Sequence, residues 1–171
     1  MAEGSTVKTE RQLVVFDLGG ELYGVDIGTV REIIRMQEIT HVPNAPEFVE
    51  GVTNLRGKVI PVIDLRRRFG MKEGEETGET RIVVVDIGGE DMGVRVDAVT
   101  EVLRITEQLI EQPSSVVTTV DSYYMDGIAN LGERLIILLD LTKVLSQEEA
   151  AKEEARPKNE TVAALDERKV A

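Results

Sequence analysis

Residues 48–66, FVEGVTNLRGKVIPVIDLR, contain the stretch that decides the fold. Two apolar runs flank a turn that carries Arg56, and Asp64 follows the second run. A similar stretch, GIANLGERLIILLDL, begins at Gly127. Over the fifteen positions that begin at Gly51 and at Gly127, six residues are identical. The chain therefore contains an internal duplication, which has to be recognised before a fold is assigned.

The duplication extends upstream of this stretch. Residues 17–36 match residues 86–105 at nine of twenty positions, with a constant offset of 69. The offset is 76 at Gly51 and Gly127, so the second copy has about seven extra residues within 106–126. Each copy has only about 60 residues, a size at which a separate core is marginal. We therefore expect two lobes with approximate twofold symmetry that stabilise each other as one cooperative body.

The composition excludes several classes of protein. A chain of 171 residues with a formal net charge of −12 lacks the clustered cations that a nucleic-acid binder needs. It has no cysteine for disulfides or thiolate chemistry. No run approaches the roughly 18 apolar residues of a transmembrane helix, and the N-terminal MAEGSTVKTERQ has no signal-peptide core. We expect a soluble cytoplasmic protein that neither binds nucleic acid nor inserts into a membrane.

Short apolar runs between glycine turns predict a mainly β fold. The glycine pair at 19–20 and its counterpart at 88–89 suit hairpin turns, which require positive φ. About five strand candidates per copy favour two small five-stranded β-barrel lobes of the SH3 or OB type, with short helices and a C-terminal helix. The sequence leaves open which strands close which barrel, because duplicated barrels can exchange strands.

Local signals complete the fold prediction. A helical turn near 28–32 should lead into a strand, and the proline-containing segment 39–48 should be a structured loop. Asp64 and Asp140 each follow an apolar run and precede a helix-forming segment, which is the position of an N-cap. Pro61 lies inside an apolar run and indicates an edge strand or a bulge.

The domain boundaries follow from the same pattern. We expect a flexible N-terminus over 1–10, a duplicated domain over 11–147, and a helical extension with a mobile tail over 148–171. Within the domain, the first repeat covers about 11–70 and the second about 80–147.

The residues form no recognisable catalytic or metal-binding motif. His41 is the only histidine, and one histidine cannot build a multi-histidine metal site. No nucleophile turn of the G-x-S-x-G type occurs. Carboxylates recur at the same turn and cap positions in both copies, which indicates a role in the fold rather than in general acid–base catalysis. We predict a protein that is not an enzyme, with no catalytic residue, no metal and no cofactor.

The differences between the copies point to candidate binding residues. Positions that both copies share are required by the fold, whereas positions unique to one copy are free to serve a function. Arg56 and Gly57 correspond to Gly132 and Glu133, so the fold does not require an arginine at this turn. Arginine is enriched at interface hot spots because its planar fork binds carboxylates. A solvated turn arginine that pairs with a nearby glutamate is the alternative.

Four blocks of this sequence resemble the CheW family of chemotaxis coupling proteins. They read FVEGVTNLRGKVIPVIDLRRRFG, LVVFDLGGELYGVDIGTVREI, VDAVTEVLRI and YMDGIANLGERLIILLDL. The resemblance covers roughly residues 11–147, and a stand-alone coupling protein is the closest match. It implies two five-stranded barrels with a hydrophobic core between them.

The resemblance also implies two protein partners. One is the regulatory domain of the CheA histidine kinase, and the other is the cytoplasmic tip of methyl-accepting chemotaxis receptors, which docks between the barrels. The family pattern puts Val30, Glu32 and Arg56 on the receptor-facing side. Aliphatic residues that could anchor a docked helix there, if they are exposed, include Ile33, Leu103 and Ile105. The residues expected toward the kinase are Ile39, Val42, Pro43 and Gly51.

We therefore expect a non-enzymatic adaptor that couples receptor to kinase. It should be a monomer alone, and part of a larger signalling array at the inner membrane. The competing interpretation is a small barrel that binds an oligosaccharide or single-stranded nucleic acid. Such a module needs exposed aromatic side chains on a basic face. Three tyrosines, three phenylalanines, no tryptophan and a negative net charge disfavour it.

Overall fold

The computed structural model describes residues 9–112 and 122–146. The chain divides into two compact units, Met1–Leu141 and Thr142–Ala171, and the first contains every strand found in the described residues. Most of the N-terminus that we expected to be flexible, and the extension expected over 148–171, lie outside the described residues.

Strands dominate the described chain, which confirms the predicted mainly β fold with a few short helices. No helix in 9–112 or 122–146 is long and apolar enough to cross a membrane. Short 3₁₀ turns occur at Ile27–Thr29, Glu107–Leu109 and Ser122–Tyr124. The helices are α1 (Leu65–Arg68) and α2 (Leu141–Val144). The strands are β1 (Glu10–Leu18), β2 (Glu21–Asp26), β3 (Val30–Arg35), β4 (Val49–Leu55), β5 (Lys58–Asp64), β6 (Arg81–Ile87), β7 (Glu90–Val96), β8 (Ala98–Thr106), β9 (Ile110–Glu111), β10 (Met125–Asn130) and β11 (Leu135–Leu139).

The strands form two sheets that exchange their first hairpins. One sheet has the order β8-β1-β2-β11-β10-β9 and the other β3-β6-β7-β5-β4. The hairpin of β1 and β2 comes from the first copy but completes a sheet built from second-copy strands, and the hairpin of β6 and β7 does the reverse. Apart from β9, the two sheets have the same order with the copies interchanged. The short β9 corresponds to the bridge that Thr40 forms with Val52 in the other sheet, so the expectation of five strands per lobe holds for one sheet only.

The exchanged hairpins join their new sheets on two sides: β1 and β6 pair antiparallel with β8 and β3, and the other strand of each hairpin forms a short parallel ladder. Strand β2 pairs with β11, and β7 pairs with β5. A glycine lies in each ladder, at Gly24 and at the equivalent Gly93. A Cβ atom on Gly24 would be 3.1 Å from Ile136 Cγ2, and one on Gly93 would be 2.7 Å from Ile82 Cγ2. Only a residue without a side chain allows the core to pack this closely at the junction.

Each sheet has a core on its inner face. The cluster of the six-stranded sheet contains the buried residues Leu13, Val15, Ile105, Ala129, Ile136 and Leu138. The cluster of the five-stranded sheet contains Ile60, Val62, Ile82 and Val84.

The opposite face of each sheet is also buried. Across the five-stranded sheet, Val83, Val94 and Ile63 lie in one row and are at most 3% exposed. Alternation along the strands turns this row away from the inner cluster. The equivalent row of the six-stranded sheet contains Val14 and Val25, which are equally buried. Since β1 also contacts β7, these outer faces cover each other, as the expected core between two lobes requires.

Aromatic side chains fill the region around α1. The guanidinium of Arg68 lies 4.6 Å from the ring centroid of Phe48 and 4.9 Å from that of Tyr124. Phe48 and Tyr124 are equivalent residues of the two copies, so one buried cation stacks between a symmetric pair of rings. Phe69 continues the contact to Tyr23, with 6.0 Å between ring centroids. The lobes therefore share one centre rather than two independent cores.

Aspartates hold the hairpin turns in both copies. Gly19 and Gly20 have φ values of 64° and 88°, which gives a two-residue turn of the I′ type. Asp17 accepts a hydrogen bond from the Gly20 N–H at 3.0 Å, and Asp86 accepts one from Gly89 N–H at the same distance. This local bond explains why the same aspartate recurs in each copy.

The predicted N-cap and the predicted edge strand have different outcomes. Asp64 precedes α1 and accepts a hydrogen bond from Arg66 N–H at 3.0 Å, which confirms the cap. The edge-strand interpretation of Pro61 is wrong, because β5 lies between β7 and β4. Pairing of β5 with β7 begins only at Val62, so the missing N–H of Pro61 falls just before that ladder.

Asp97 ties the β1–β2 turn to α1. Its carboxylate accepts hydrogen bonds from Arg66 Nη2 at 2.6 Å, from Arg66 Nε at 2.9 Å and from Gly19 N–H at 2.9 Å. Burial by itself would raise the pKa of Asp97, but these bonds and the charge of Arg66 lower the pKa below its ordinary value. Gly19 connects two strands of the six-stranded sheet, and Arg66 lies in the helix that follows a strand of the five-stranded sheet. This carboxylate therefore links the two lobes.

We predict that Gly93→Ala destabilises the protein by about 1–3 kcal/mol, because Ile82 is fully buried and cannot move away from the new Cβ atom. Urea unfolding followed by circular dichroism measures the change. Gly28→Ala is the matched control, since a Cβ atom there meets nothing within 4 Å and should change stability by no more than about 0.5 kcal/mol. Equal stability of the two variants would contradict the role given to the glycine junction.

We predict that Asp97→Asn destabilises the protein at pH 7 by on the order of 1–2 kcal/mol, and by less at acid pH. The folded-state pKa of Asp97 is lowered, so its contribution is present above the unfolded pKa of about 3.9 and is lost as pH falls through the folded value. Urea unfolding at pH 7 and pH 3 tests this, with the exposed Glu133→Gln as control. A difference from the native chain that stays constant with pH would refute the ionic explanation.

Candidate functional site

The turn between β4 and β5 holds Arg56 in an unusual backbone conformation. Leu55 pairs with Lys58, and the two residues between them have positive φ, 53° at Arg56 and 87° at Gly57. Asn54 Oδ1 accepts a hydrogen bond from Gly57 N–H at 2.7 Å and fixes the turn. Left-handed backbone costs a non-glycine residue roughly 1 kcal/mol, so this position favours glycine. The sequence places an arginine there nevertheless.

The second copy uses the residue that the backbone prefers. Gly132 occupies the position equivalent to Arg56 and has a φ of 86°. Asn130 Oδ1 accepts a hydrogen bond from Gly132 N–H at 3.0 Å, whereas Asn54 in the first copy accepts from Gly57 N–H, one position further along the turn. The asparagines are therefore shared for the turn, whereas the arginine is not needed for it.

Arg56 forms an ion pair with Glu32 of β3, and a turn arginine paired with a nearby glutamate is what the alternative interpretation of Arg56 described. The hydrogen bond to Glu32, together with its charge, raises the pKa of Arg56 above its ordinary value. The Arg56 side chain remains 69% exposed and that of Glu32 30% exposed, so the pair lies at the surface. An exposed pair of this kind contributes little to stability, because water and salt screen the two charges.

A second ionic group lies at the same end of the five-stranded sheet. Asp91 accepts from Arg31 Nε at 2.6 Å and from Lys58 Nζ at 3.4 Å. Arg31 also pairs with Asp86 at 2.9 Å. Burial by itself would raise the pKa of Asp91, but the hydrogen bonds and charges of Lys58 and Arg31 lower it below its ordinary value. The sheet thus ends in fixed charges of both signs.

Exposed aliphatic side chains adjoin these charges in the sequence. Val59 follows Lys58 and is 63% exposed, and Ile33 follows Glu32 and is 39% exposed. Ile33 lies in the same row as the buried Val83 of the outer sheet face. Its side chain therefore extends the core between the sheets to the surface. We refer to Glu32, Ile33, Arg56 and Val59 collectively as the Arg56 surface; within it, Glu32 is opposite Val84 and Ile33 is opposite Val83, so these two side chains lie on alternate faces of β3.

The six-stranded sheet has an equivalent of this surface. Glu101 occupies the position of Glu32 and accepts from Arg134 Nη1 at 2.7 Å. Val102 and Leu135 occupy the positions of Ile33 and Val59, and they are 53% and 52% exposed. Comparison by position missed this pair because Arg134 is the counterpart of Lys58, not of Arg56. The glutamate shared by both copies was the signal that could have revealed it.

The remaining residues predicted to face the receptor differ in exposure. Val30 begins β3 and is half-buried, and Leu103 is half-buried against the core of the six-stranded sheet. Ile105 is only 4% exposed and belongs to that core. Its proposed role as an anchor required exposure, so Ile105 is withdrawn from the receptor-facing set. The structure does not bring Leu103 together with Glu32 and Arg56, because the two groups are on different sheets.

Of the four residues predicted to face the kinase, two hold the 39–48 loop in place and two lie at its surface. Ile39 packs against the core of the five-stranded sheet. Gly51 is buried, and a Cβ atom there would clash with the Thr40 carbonyl oxygen, so its role is to let the 39–48 loop close on β4. Pro43 is exposed and Val42 is half-buried. The loop surface around these two residues is what a partner could reach.

The part of the chain that the structure describes was predicted to hold neither a metal nor a catalytic histidine. His41 is exposed in the loop. Within 9–112 and 122–146, no group of three or more histidine, aspartate or glutamate side chains is arranged to hold a metal ion. The surface can therefore offer ionic and apolar contacts to another macromolecule.

Comparison with known proteins identifies the relatives of this chain. The family model described as CheW-like domain matches residues 12–149. The Chemotaxis protein CheW of Klebsiella aerogenes is 40% identical over 148 residues, which cover 86% of this chain and 88% of that protein. The Chemotaxis protein CheW of Treponema pallidum is 35% identical, covering 82% and 85%.

A solved structure shares both fold and sequence. The scaffolding protein TtCheW from Thermoanaerobacter tengcongensis matches with a TM-score of 0.75 and 42% identity, covering 84% of this chain and 93% of that one. These matches confirm the resemblance drawn from the sequence blocks. The relatives are named as chemotaxis and scaffolding proteins, which confirms the prediction that the chain is not an enzyme.

We predict that Arg56→Gly leaves the unfolding free energy unchanged within about 1 kcal/mol. The substitution removes an exposed ion pair and increases the conformational entropy that the chain loses on folding, and both effects are destabilising. They are offset because glycine adopts the left-handed backbone without the steric cost that arginine has. Arg56→Val is the matched control: it also removes the ion pair but places a β-branched residue at positive φ, and it should cost about 1–2 kcal/mol. Urea unfolding compares the two variants, and equal losses would show that the ion pair, not the backbone, sets the stability of this turn.

Proposed function

The chain belongs to the CheW-like family, and from that membership we propose that it is a chemotaxis scaffold that couples methyl-accepting receptors to the CheA histidine kinase. One contact would be with the cytoplasmic tip of the receptor and the other with the regulatory domain of the kinase. The observation that carries the proposal is Arg56, an exposed and ion-paired arginine in a backbone conformation that glycine fills in the second copy.

The strained arginine supports a functional role at the turn. A non-glycine residue in left-handed backbone persists where something other than stability favours it. A solvent-screened ion pair at the surface does not supply a strong structural reason. Contact with a partner does, because an arginine fork that is already held by Glu32 can accept a second carboxylate with little further ordering.

The Arg56 surface supports a receptor tip as that partner. A docked helix needs aliphatic anchors within a charged rim. Ile33 and Val59 supply exposed anchors, and Val30 adds a half-buried one. A helical hairpin that covers Ile33 would extend the core between the two sheets. Glu32 and Arg56 would then form the rim that sets its orientation.

The 39–48 loop supports the second contact. Ile39 and Gly51 fix the loop on the five-stranded sheet and leave Val42 and Pro43 accessible to the kinase regulatory domain. This contact does not share residues with the Arg56 surface. One molecule could therefore hold both partners at once, which is what coupling requires.

Charge and size fit a scaffold whose contacts are exchanged. We expect each contact to bury about 800 Å² per side, with micromolar affinity of roughly −8 kcal/mol. The net charge of −12 should affect the association rate and its salt dependence more than affinity. A cytoplasmic monomer recruited to receptor arrays at the inner membrane is the arrangement that we propose.

The alternative of an oligosaccharide or single-stranded nucleic-acid module has little support. Base or sugar stacking needs exposed aromatic rings. Four of the six tyrosines and phenylalanines are at most 8% exposed, and Tyr123 is the one of the six whose side chain is exposed. Phe48 and Tyr124 stack on Arg68, and Phe69, Tyr23 and Phe16 continue from Tyr124 through ring–ring contacts.

We predict that Arg56→Ala keeps its fold but loses receptor-dependent activation of the kinase. Removal of the guanidinium deletes the charged contact to the receptor and leaves the 39–48 loop intact. Pull-down with separate fragments should show capture of the receptor tip reduced about tenfold or more, and capture of the kinase regulatory domain unchanged. Kinase phosphorylation in the reconstituted receptor complex gives the functional readout.

Arg134→Ala is the control, because it removes the equivalent ion pair of the six-stranded sheet. It should leave capture of the receptor tip within about twofold of the native chain. If both variants lose capture equally, the contact does not depend on Arg56. If the native chain captures neither fragment, the scaffold proposal itself is wrong.

A further inference from the structure

Two arginines face each other in a pocket at one end of the five-stranded sheet. This is the end of the sheet at which β3 ends and β6 begins. Arg35 of β3 is directly opposite Arg81 of β6 in the ladder. Both line a pocket of about 340 Å³, which also contains Met36, Glu76 and the turn around Gly78. Neither arginine is part of the Arg56 surface.

These two arginines have no carboxylate partner among the described residues. Eight other arginines form salt bridges with an aspartate or glutamate, and Arg68 stacks on aromatic rings. Arg35 has no polar partner within 9–112 and 122–146. Arg81 donates only to backbone carbonyls, those of Gly78 and Thr80, both at 2.9 Å. In a chain with 32 acidic residues, such a pair indicates a site whose counter-charge comes from outside.

The pair is also unfavourable for the sheet by itself. Like charges directly opposite each other on neighbouring strands are destabilising. Arg81 cannot easily turn away, because two carbonyls of the 77–80 turn hold its Nη1. Arg35 is exposed and has no bond that draws it elsewhere. An anion between the two guanidinium groups would remove the repulsion.

The second copy shows that the fold does not require this pair. Arg104 is equivalent to Arg35, and its opposite residue is Gln12, not an arginine. Arg104 is further neutralised by Glu10 at 3.8 Å. At the same place in the fold, one lobe therefore has two arginines without a carboxylate partner, and the other lobe has one arginine that is paired with a glutamate.

We propose that Arg35 and Arg81 form a binding site for a dianion of the phosphate class. A phosphate group offers several oxygens to two arginine forks at once, whereas a single carboxylate satisfies one fork. The half-buried Met36 beside them gives an apolar contact for an organic substituent. Glu76 lines the same pocket without pairing to either arginine, so its charge opposes the anion and weakens the site. The site is independent of the proposed scaffold function.

The test is a titration of the full-length ¹⁵N-labelled chain, followed by nuclear magnetic resonance at pH 7.5 and constant ionic strength. The probes are inorganic phosphate and phenyl phosphate. Saturable shifts are expected for the side-chain Nε–H groups of Arg35 and Arg81, with no shift at Arg104. Tighter binding of phenyl phosphate assigns the site to a monoester on a larger ligand, and tighter or equal binding of inorganic phosphate assigns it to the free ion.

Variants separate this site from general charge effects. Arg35→Gln should weaken binding about tenfold, because it removes a charge-assisted contact from an exposed residue without touching the core. Glu76→Gln should strengthen binding severalfold by removing the opposing charge. Arg104→Gln is the matched control and should leave binding unchanged. The proposal is overturned if neither probe saturates, if sodium chloride produces the same shifts, or if Arg35→Gln binds as the native chain does.

Discussion

The two parallel ladders at Gly24 and Gly93 are the constraint on which the rest of the structure depends. Each ladder joins the first hairpin of one copy to the final hairpin of the other. Parallel neighbours cannot be connected by a tight turn, so the two hairpins that meet in each ladder are far apart in the sequence. The glycines let the hairpin approach the core side chains Ile82 and Ile136 closely enough to continue the sheet. Without that approach neither copy could complete its own sheet.

The exchange explains why the centre of the molecule is shared. Each first hairpin belongs to one copy by sequence but pairs with strands of the other copy. Its outer face lies in the contact between the two sheets. Arg68 then lies between Phe48 and Tyr124, one ring from each copy. Asp97 joins the β1–β2 turn to Arg66 beside this centre. Separation of the lobes would expose the rings and the buried guanidinium together, so the two sheets should unfold as one body.

The sequence was sufficient for the local structure and insufficient for the pairing of strands and charges. Positive-φ glycines, the Asp64 cap and the alternating apolar runs each depend on neighbours within a few residues. Strand exchange is different, because the two first hairpins are so similar that either could complete either sheet. The pair of Glu101 with Arg134 was missed for a related reason. A long arginine side chain reaches the same glutamate from a position two residues away, which a comparison by position does not detect.

The two lobes have the same backbone fold, so their differences in charge decide which of two equivalent surfaces a partner binds. Arginine in the five-stranded sheet replaces a neutral residue at three equivalent positions, where Arg31, Arg56 and Arg81 correspond to Thr100, Gly132 and Gln12. Each of these arginines lies near a sheet end, and one of them is kept at the cost of backbone strain. Both lobes expose an aliphatic pair beside an ion-paired glutamate, so apolar contact alone would bind a partner in two orientations. In an acidic protein, cations gathered on one lobe favour a single orientation for an acidic partner. Duplication thus supplies the shape of the binding surface, and the arginines of one lobe make it specific.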